Sequence, residues 1–244
     1  MPFVLTEIAS RDVAGGRRIA VHLDDGERVP GILLLPATTP APATLLVHGF
    51  TSRKERMAES IGAGLLRRGV ASLAIDLPMH GEREGTLDQR TLRNPFEVVS
   101  RWRLAVEECR MAVELLREHP AIDSRRLGLA GYSLGAFLGV TVAAAEPDIR
   151  AVLLAAGGDL PADLPFGAIV RSVADPPRQV RSLAGRPLLM VNGRLDRTVR
   201  RDQAERLFAA AKEPKEIRWY AGGHWPPPAA IDDAVAWMAE RLSA

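Results

Sequence analysis

Five short, wholly apolar runs punctuate this 244-residue chain: "ATLLVHG", "VASLAID", "RLGLAG", "IRAVLLAAG" and "RPLLMVNG". A run of this length without polar alternation is what a strand covered on both faces requires, and such strands belong to parallel sheets. Between and after them the apolar residues change period. Met57, Ile61 and Leu65 recur at helical spacing, with Gly69 placed to cap that helix. Trp102, Ala105, Val106, Cys109, Val113 and Leu116 make a longer stripe, which marks Cys109 as a core residue. A further helix starts near Leu134. Ala204, Leu207, Phe208 and Ala211 mark another, and Ile231, Val235, Met238 and Leu242 a last one. Before the first run, Ile19, Val21 and Leu23 alternate with polar or small residues, and "DDGE" leads into "VPGILLLP", an antiparallel hairpin. "KEIRWYAG" completes the series. The expected architecture is α/β: about eight strands, mostly parallel, with an N-terminal antiparallel hairpin and helices on both faces.

In such sheets function collects in the loops at the carboxyl ends of the strands. Those loops hold His48-Gly49-Phe50, Asp76 with "LPMHGER", Gly131-Tyr132-Ser133-Leu134-Gly135, "NGRLD" ending in Asp196, and "AGGHW" containing His224. A serine, an acid and a histidine therefore end three different strands on one edge. At Gly131–Gly135 a strand turns at once into a helix. Ser133 at the apex takes a strained backbone, and the glycines two places away on each side remove side chains that would collide. The hydroxyl is lifted clear, and the Leu134 amide opens the helix, where free N–H groups favour developing negative charge.

These segments resemble the α/β-hydrolase superfamily, most closely its small Ser-nucleophile esterases related to dienelactone hydrolases. The likeness rests on "LLVHGF", "LAIDLPMHGER", "LAGYSLGA", "PLLMVNGRLDRTV" and "AGGHW", which span nearly the whole chain. It implies Ser133 as nucleophile, His224 as general base, Asp196 as its orienter, and the amides of Phe50 and Leu134 as the oxyanion hole. The elbow residue is serine where dienelactone hydrolases carry cysteine, which turns the expectation from dienelactones to ordinary carboxylic esters. Thioesters, peptides and a non-catalytic ligand receptor are the other readings compatible with the fold. No cofactor or metal is expected, and the expected partner is a small-molecule ester.

The competing residues have blander readings. Asp159, Asp163 and Asp175 are reserves for the acid. His80 also follows a buried strand, but it precedes the serine in the chain, so a structural or rim role is expected. His48 either supports the oxyanion loop or packs; His22 and His119 read as solvent-side. Tyr132, Trp225 and Phe166 are the expected substrate contacts. The segment 157–183 interrupts the strand–helix rhythm and reads either as a small cap inserted in one domain, 1–244, or as a helical crossover. As a cap, its few apolar residues would wall only a shallow pocket, hence short acyl chains. Arg83, Arg90 and Arg93 in the polar loop 81–97 read as a solvated surface.

Charge and composition narrow the class. Net charge is +2, and lysine occurs only at Lys54, Lys212 and Lys215, so arginine carries almost all the positive charge. No dense basic block or basic–aromatic alternation supports nucleic-acid binding. No apolar stretch reaches membrane-spanning length. The first residues lack a basic start followed by an apolar core, so no secretory signal is expected. Cys109 is the only cysteine, which precludes an intramolecular disulfide and fits a reducing, cytoplasmic setting. A monomer or homodimer is expected.

Overall fold

The computed structural model describes residues 4–24, 28–83, 85, 94–164 and 166–243. Arg90 and Arg93 of the polar loop, and most of the "DDGE" turn, lie outside the described residues; the side chain of Arg83, expected on a solvated surface, is instead buried and paired with buried Glu108.

Among the described residues, nine strands form a single sheet: β1 (Val4–Val13), β2 (Gly16–Asp24), β3 (Arg28–Pro36), β4 (Ala41–Val47), β5 (Ala71–Ile75), β6 (Ile122–Tyr132), β7 (Ile149–Ala155), β8 (Leu188–Gly193) and β9 (Lys215–Tyr220), in the order β1-β2-β3-β5-β4-β6-β7-β8-β9. The pairs from β1 to β3 and the β3–β5 pair are antiparallel; β5, β4, β6, β7, β8 and β9 run parallel. The α/β architecture is as expected, with nine strands in place of eight. The additional strand is β1. Almost all of it is exposed on both faces, so it carries no burial pattern, and it is held by its ladder to β2. That ladder slips register between Glu7 and Ala9, a bulge of the kind that blunts an edge strand.

The helices divide between the two faces. On one face lie α3 (Pro95–Glu118), α4 (Leu134–Ala145), a 3₁₀ turn (Val180–Leu183) and α7 (Arg201–Ala210). On the other lie α1 (Lys54–Met57), a π turn (Ala58–Gly62), α2 (Ala63–Leu66) and α8 (Pro228–Ser243). Strand β4 shows why its sequence has no polar alternation: Ala43, Leu45 and Val47 pack into the first layer and Leu46 into the second. Gly69 ends the α1–α2 rod at φ +73°, the left-handed conformation a side chain would resist. Asn94 caps α3, its side chain accepting from the amides of Phe96 and Glu97, and Pro95 occupies the first turn. Cys109 is fully buried on α3, and burial pushes its thiol pKa up.

The segment 157–183 contributes α5 (Gly167–Arg171), α6 (Pro176–Gln179) and the 3₁₀ turn. Ala174, Val180 and Leu183 are buried, the last two within the α3–α4–α7 layer. Helix α6 rests on α4, where Thr141 Oγ1 donates to Gln179 Oε1 at 3.0 Å. Among the described residues, no helix is long and apolar enough to cross a membrane.

The chain steps from β4 to β5 on one side and then crosses to β6 on the other. The loops leaving β4 and β6 therefore diverge, and this opens a crevice at their carboxyl ends.

Candidate active site

Ser133 sits in that crevice, between the last residue of β6 and the first of α4, at φ 52° and ψ −115°. Such a conformation costs about 1–3 kcal/mol for a residue with a Cβ. Three backbone hydrogen bonds hold it: the Ser133 amide donates to Ala155 O at 2.9 Å, and its carbonyl accepts from the amides of Ala136 and Phe137. The flanking glycines are required by contact. A Cβ on Gly131 would lie 2.1 Å from the Gly135 carbonyl oxygen, and one on Gly135 would lie 2.0 Å from that of Val47.

His224 lies between the other two predicted residues. Its Nε2 is 2.9 Å from Ser133 Oγ and its Nδ1 is 2.8 Å from Asp196 Oδ2. Asp196 is buried, and its other oxygen accepts from the amides of Thr198 and Val199 at 2.8 and 3.0 Å. An acceptor at Oδ2 fixes the imidazole proton on Nδ1 and leaves Nε2 to accept from the serine hydroxyl. The loops carrying Asp196 and His224 are brought together at Gly193, where a Cβ would lie 2.1 Å from Gly223 O. Two tyrosine hydroxyls then donate to the histidine's own loop. Tyr132 reaches His224 O at 3.3 Å, and Tyr220 reaches Gly223 O at 2.9 Å and His224 O at 3.3 Å. Tyr220 escaped the sequence reading; its one signal is its place as the last residue of β9. Burial, then the charge of Asp196, raises its phenol pKa to about 12, so it stays a donor at neutral pH.

The loop after β4 packs directly on the elbow: a Cβ on Gly49 would lie 3.2 Å from Ser133 Cβ. Among the described residues, neither the Phe50 nor the Leu134 amide donates a backbone hydrogen bond, and Leu134 is the first residue of its helix, where amides have no intrahelical partner. His48 packs, and it also bonds to the loop after β4. It is fully buried, its Nδ1 donates to Gly49 O at 2.8 Å, and its Nε2 accepts from the Leu77 amide at 3.1 Å. It thereby ties the loop after β4 to the loop after β5. Burial lowers its pKa to about 4, so it is neutral in this role. A second tie is ionic. Buried Lys54 donates to Asp76 Oδ2 at 2.8 Å and to Glu82 at 2.5 Å, and it pairs with Glu55. Burial alone would lower the ammonium pKa, but these carboxylates hold it above its ordinary value.

The remaining expectations fall as follows. His80 is buried at the rim, its Nδ1 donating to Pro78 O, with its ring edge-on to His48 and Phe50. Asp159 is buried in ion pairs with Arg171 and Arg206, Asp175 caps α6, and Asp163 is exposed; none of the three meets His224. His22 and His119 are half-buried where solvent-side positions were expected. His119 Nδ1 accepts from the Ala121 amide as the chain leaves α3. Tyr132 stacks on Trp225 at 4.9 Å beside His224. Phe166 is not brought to them. It stands half-exposed at the start of α5, at φ 56°, and lines neither apolar cavity beside Ser133. Among the described residues, no group of three or more His, Cys, Asp or Glu converges as a metal site.

The fold recurs in solved structures. TT1662 from Thermus thermophilus superposes with a TM-score of 0.74 at 27% identity, covering 88% of this chain and 94% of its own. Acetyl xylan esterase 1 from Thermoanaerobacterium sp. superposes with a TM-score of 0.80 over 98% of this chain and 87% of its own; at 19% identity the likeness is one of fold. Polyketide transferase ATR5 from Stachybotrys chlorohalonatus is 32% identical over 123 residues, which is half of this chain and 38% of the transferase. The sequence model of the Alpha/beta hydrolase family matches residues 44–238, and the chain belongs to that family.

Proposed function

We propose that the protein is a cytoplasmic serine carboxylesterase that cleaves esters of short acyl chains through an acyl-enzyme. One observation carries the reading: the His224 ring bonded on one side to Ser133 Oγ and on the other to Asp196. A serine hydroxyl is a weak nucleophile at neutral pH and needs a base within hydrogen-bond reach. Ser133 Oγ attacks the ester carbon while Nε2 takes its proton. The carbonyl electrons move onto oxygen, which the Phe50 and Leu134 amides stabilise. Asp196 stabilises the imidazolium. When the carbon–oxygen bond breaks, the alcohol leaves with that proton. Water then repeats the sequence and frees the acid. The Thermoanaerobacterium protein of this fold is an acetyl xylan esterase, in keeping with this chemistry.

Ser133→Ala tests the assignment. Turnover of a p-nitrophenyl ester is expected to fall about 10⁴- to 10⁶-fold while the circular dichroism spectrum is kept. A rate near wild type would overturn it. A second reading, cleavage of a thioester or transfer of its acyl group, is favoured by partial likenesses to an Aspergillus aculeatus thiohydrolase, 27% identical over 129 residues, and to the Stachybotrys polyketide transferase; matched ester and thioester substrates separate the two.

A further inference from the structure

Two apolar cavities open beside the elbow, one lined by Tyr132 just before Ser133 and the other by Leu134 just after it, on opposite faces of the sheet. The first, about 170 Å³, is walled by Tyr132, Trp225, Ile61, Ala230 and Ile231. The second, about 120 Å³, is walled by Leu134, Phe50, Val98, Trp102 and Ala105. Tyr132 and Ile61 belong to the layer under α8, whereas Leu134, Trp102 and Ala105 belong to the layer under α3 and α4. The neighbours of the serine on either side in the chain therefore open onto different cavities.

We infer that these cavities divide an ester between them: the acyl limb enters the Val98–Trp102 cavity, and the alcohol limb enters the Trp225–Ala230 cavity. The inference rests on the serine-esterase reading above. In the tetrahedral species the former carbonyl carbon carries four substituents: Ser133 Oγ, the oxyanion, the alcohol oxygen and the acyl chain. The oxyanion faces the amides of Phe50 and Leu134. The alcohol oxygen must reach His224 Nε2, because it takes its proton there as the bond to carbon breaks. The His224 ring lies 5.4 Å from the Tyr132 ring, and Tyr132 stacks on Trp225, so the imidazole edge and the first cavity share a wall. The departing alcohol is thus on the first cavity's side. The direction left for the acyl chain is past Leu134 into the second, smaller cavity, and the chain remains there, bound to Oγ, until water attacks.

Both cavities are walled mainly by hydrocarbon and aromatic groups. A hydroxyl-rich alcohol would lose hydrogen bonds to water on entering the first. The substrate class is accordingly an ester with two apolar limbs, the acyl limb the shorter.

Two series of esters test this, one with the acyl chain lengthened on a fixed alcohol and one with the alcohol lengthened on a fixed acyl group. Val98 and Ala230 are half-buried on α3 and α8. Val98→Phe is expected to lower kcat/KM for a six-carbon acyl chain relative to acetyl by at least about tenfold, the scale set by one or two misfitted methylenes, with the slope of the alcohol series kept. Ala230→Phe is expected to do the reverse. Trp102→Ala and Ile231→Ala enlarge the same cavities and are expected to shift the acyl and alcohol optima, respectively, to longer chains, which keeps the test decisive where a filled variant does not fold. Effects on the opposite limb, or equal effects on both, would overturn the division. Failure of the parent reading is distinct: no mass adduct of the acyl group would form on Ser133 with any ester in the series.

Discussion

Replacing Ser133 by glycine is expected to stabilise the protein relative to replacing it by alanine, the opposite of the usual order. Both variants lose the same 2.9 Å contact with His224, so that term cancels. What differs is the backbone at φ 52° and ψ −115°. Alanine retains the strain of a Cβ in that region, about 1–3 kcal/mol, and glycine removes it. Against this, glycine gives the unfolded chain more freedom, which costs about 0.4–1 kcal/mol. The balance favours glycine by about 1 kcal/mol, or about 2–4 °C in melting temperature for a domain of this size. The conformation is not free to relax instead, because the Ser133 amide and carbonyl are both engaged. Urea unfolding of the two variants at 25 °C, with equal m-values, measures the difference. If the glycine variant were the less stable by the ordinary 0.5–1 kcal/mol or so, the elbow would hold no strain. Neither variant should turn over ester, so stability and catalysis are opposed at this one position.

Asp196→Asn is expected to lower kcat about 10⁴-fold with little change in KM, because the amide no longer holds the imidazole proton on Nδ1; steady-state kinetics on a single ester decides it. His224→Ala should be comparably inactive, whereas His80→Ala, which removes a rim ring bonded to Pro78 O, should cost less than about tenfold; the reverse ranking would reassign the base. His48 predicts an acid weakness. Its folded pKa of about 4 lies below the ordinary imidazole value of 6.5, so the unfolded chain binds the proton first as pH falls. Stability is therefore present at pH 7 and lost through the window from 6.5 down to 4, with about 2 kcal/mol gone by pH 5. Urea melts at pH 7 and pH 5 should show that loss in the wild type and a smaller one in His48→Gln; equal slopes would place the titration elsewhere.

The parts of this molecule that could be read from its sequence are those whose physical demands are local. A parallel strand must be apolar on both faces, so β4 and β5 announce themselves in a run of five to seven residues. The elbow must have glycines at 131 and 135, because a Cβ there would strike the carbonyl oxygens of Gly135 and Val47. A strand such as β1 has no such demand: exposed on both faces and held by ladder bonds, it leaves no period to detect. The same holds for Tyr220, whose hydroxyl meets the His224 loop by the accident of where β9 ends.

Apart from Tyr132 and Trp225, the walls of the cavities were illegible for a further reason, and it bears on how far function can be read in folds of this kind. Val98, Trp102 and Ala105 fall on the core-facing side of α3, and Ile61 and Ile231 on the core-facing sides of the π turn and α8. Each sits at the helical spacing expected of buried packing, so nothing in the pattern tells a residue that touches substrate from one that touches the sheet. Phe166, which stood out as an apolar residue in the segment 157–183 that interrupts the rhythm, proved to lie on the surface. The three residues proposed to react are marked in the sequence because strand ends and tight turns restrict what can occupy them. The two cavities are continuous with the core and share its composition, which is why variants that fill or empty them, rather than motifs, are the means of testing the proposed division of the substrate.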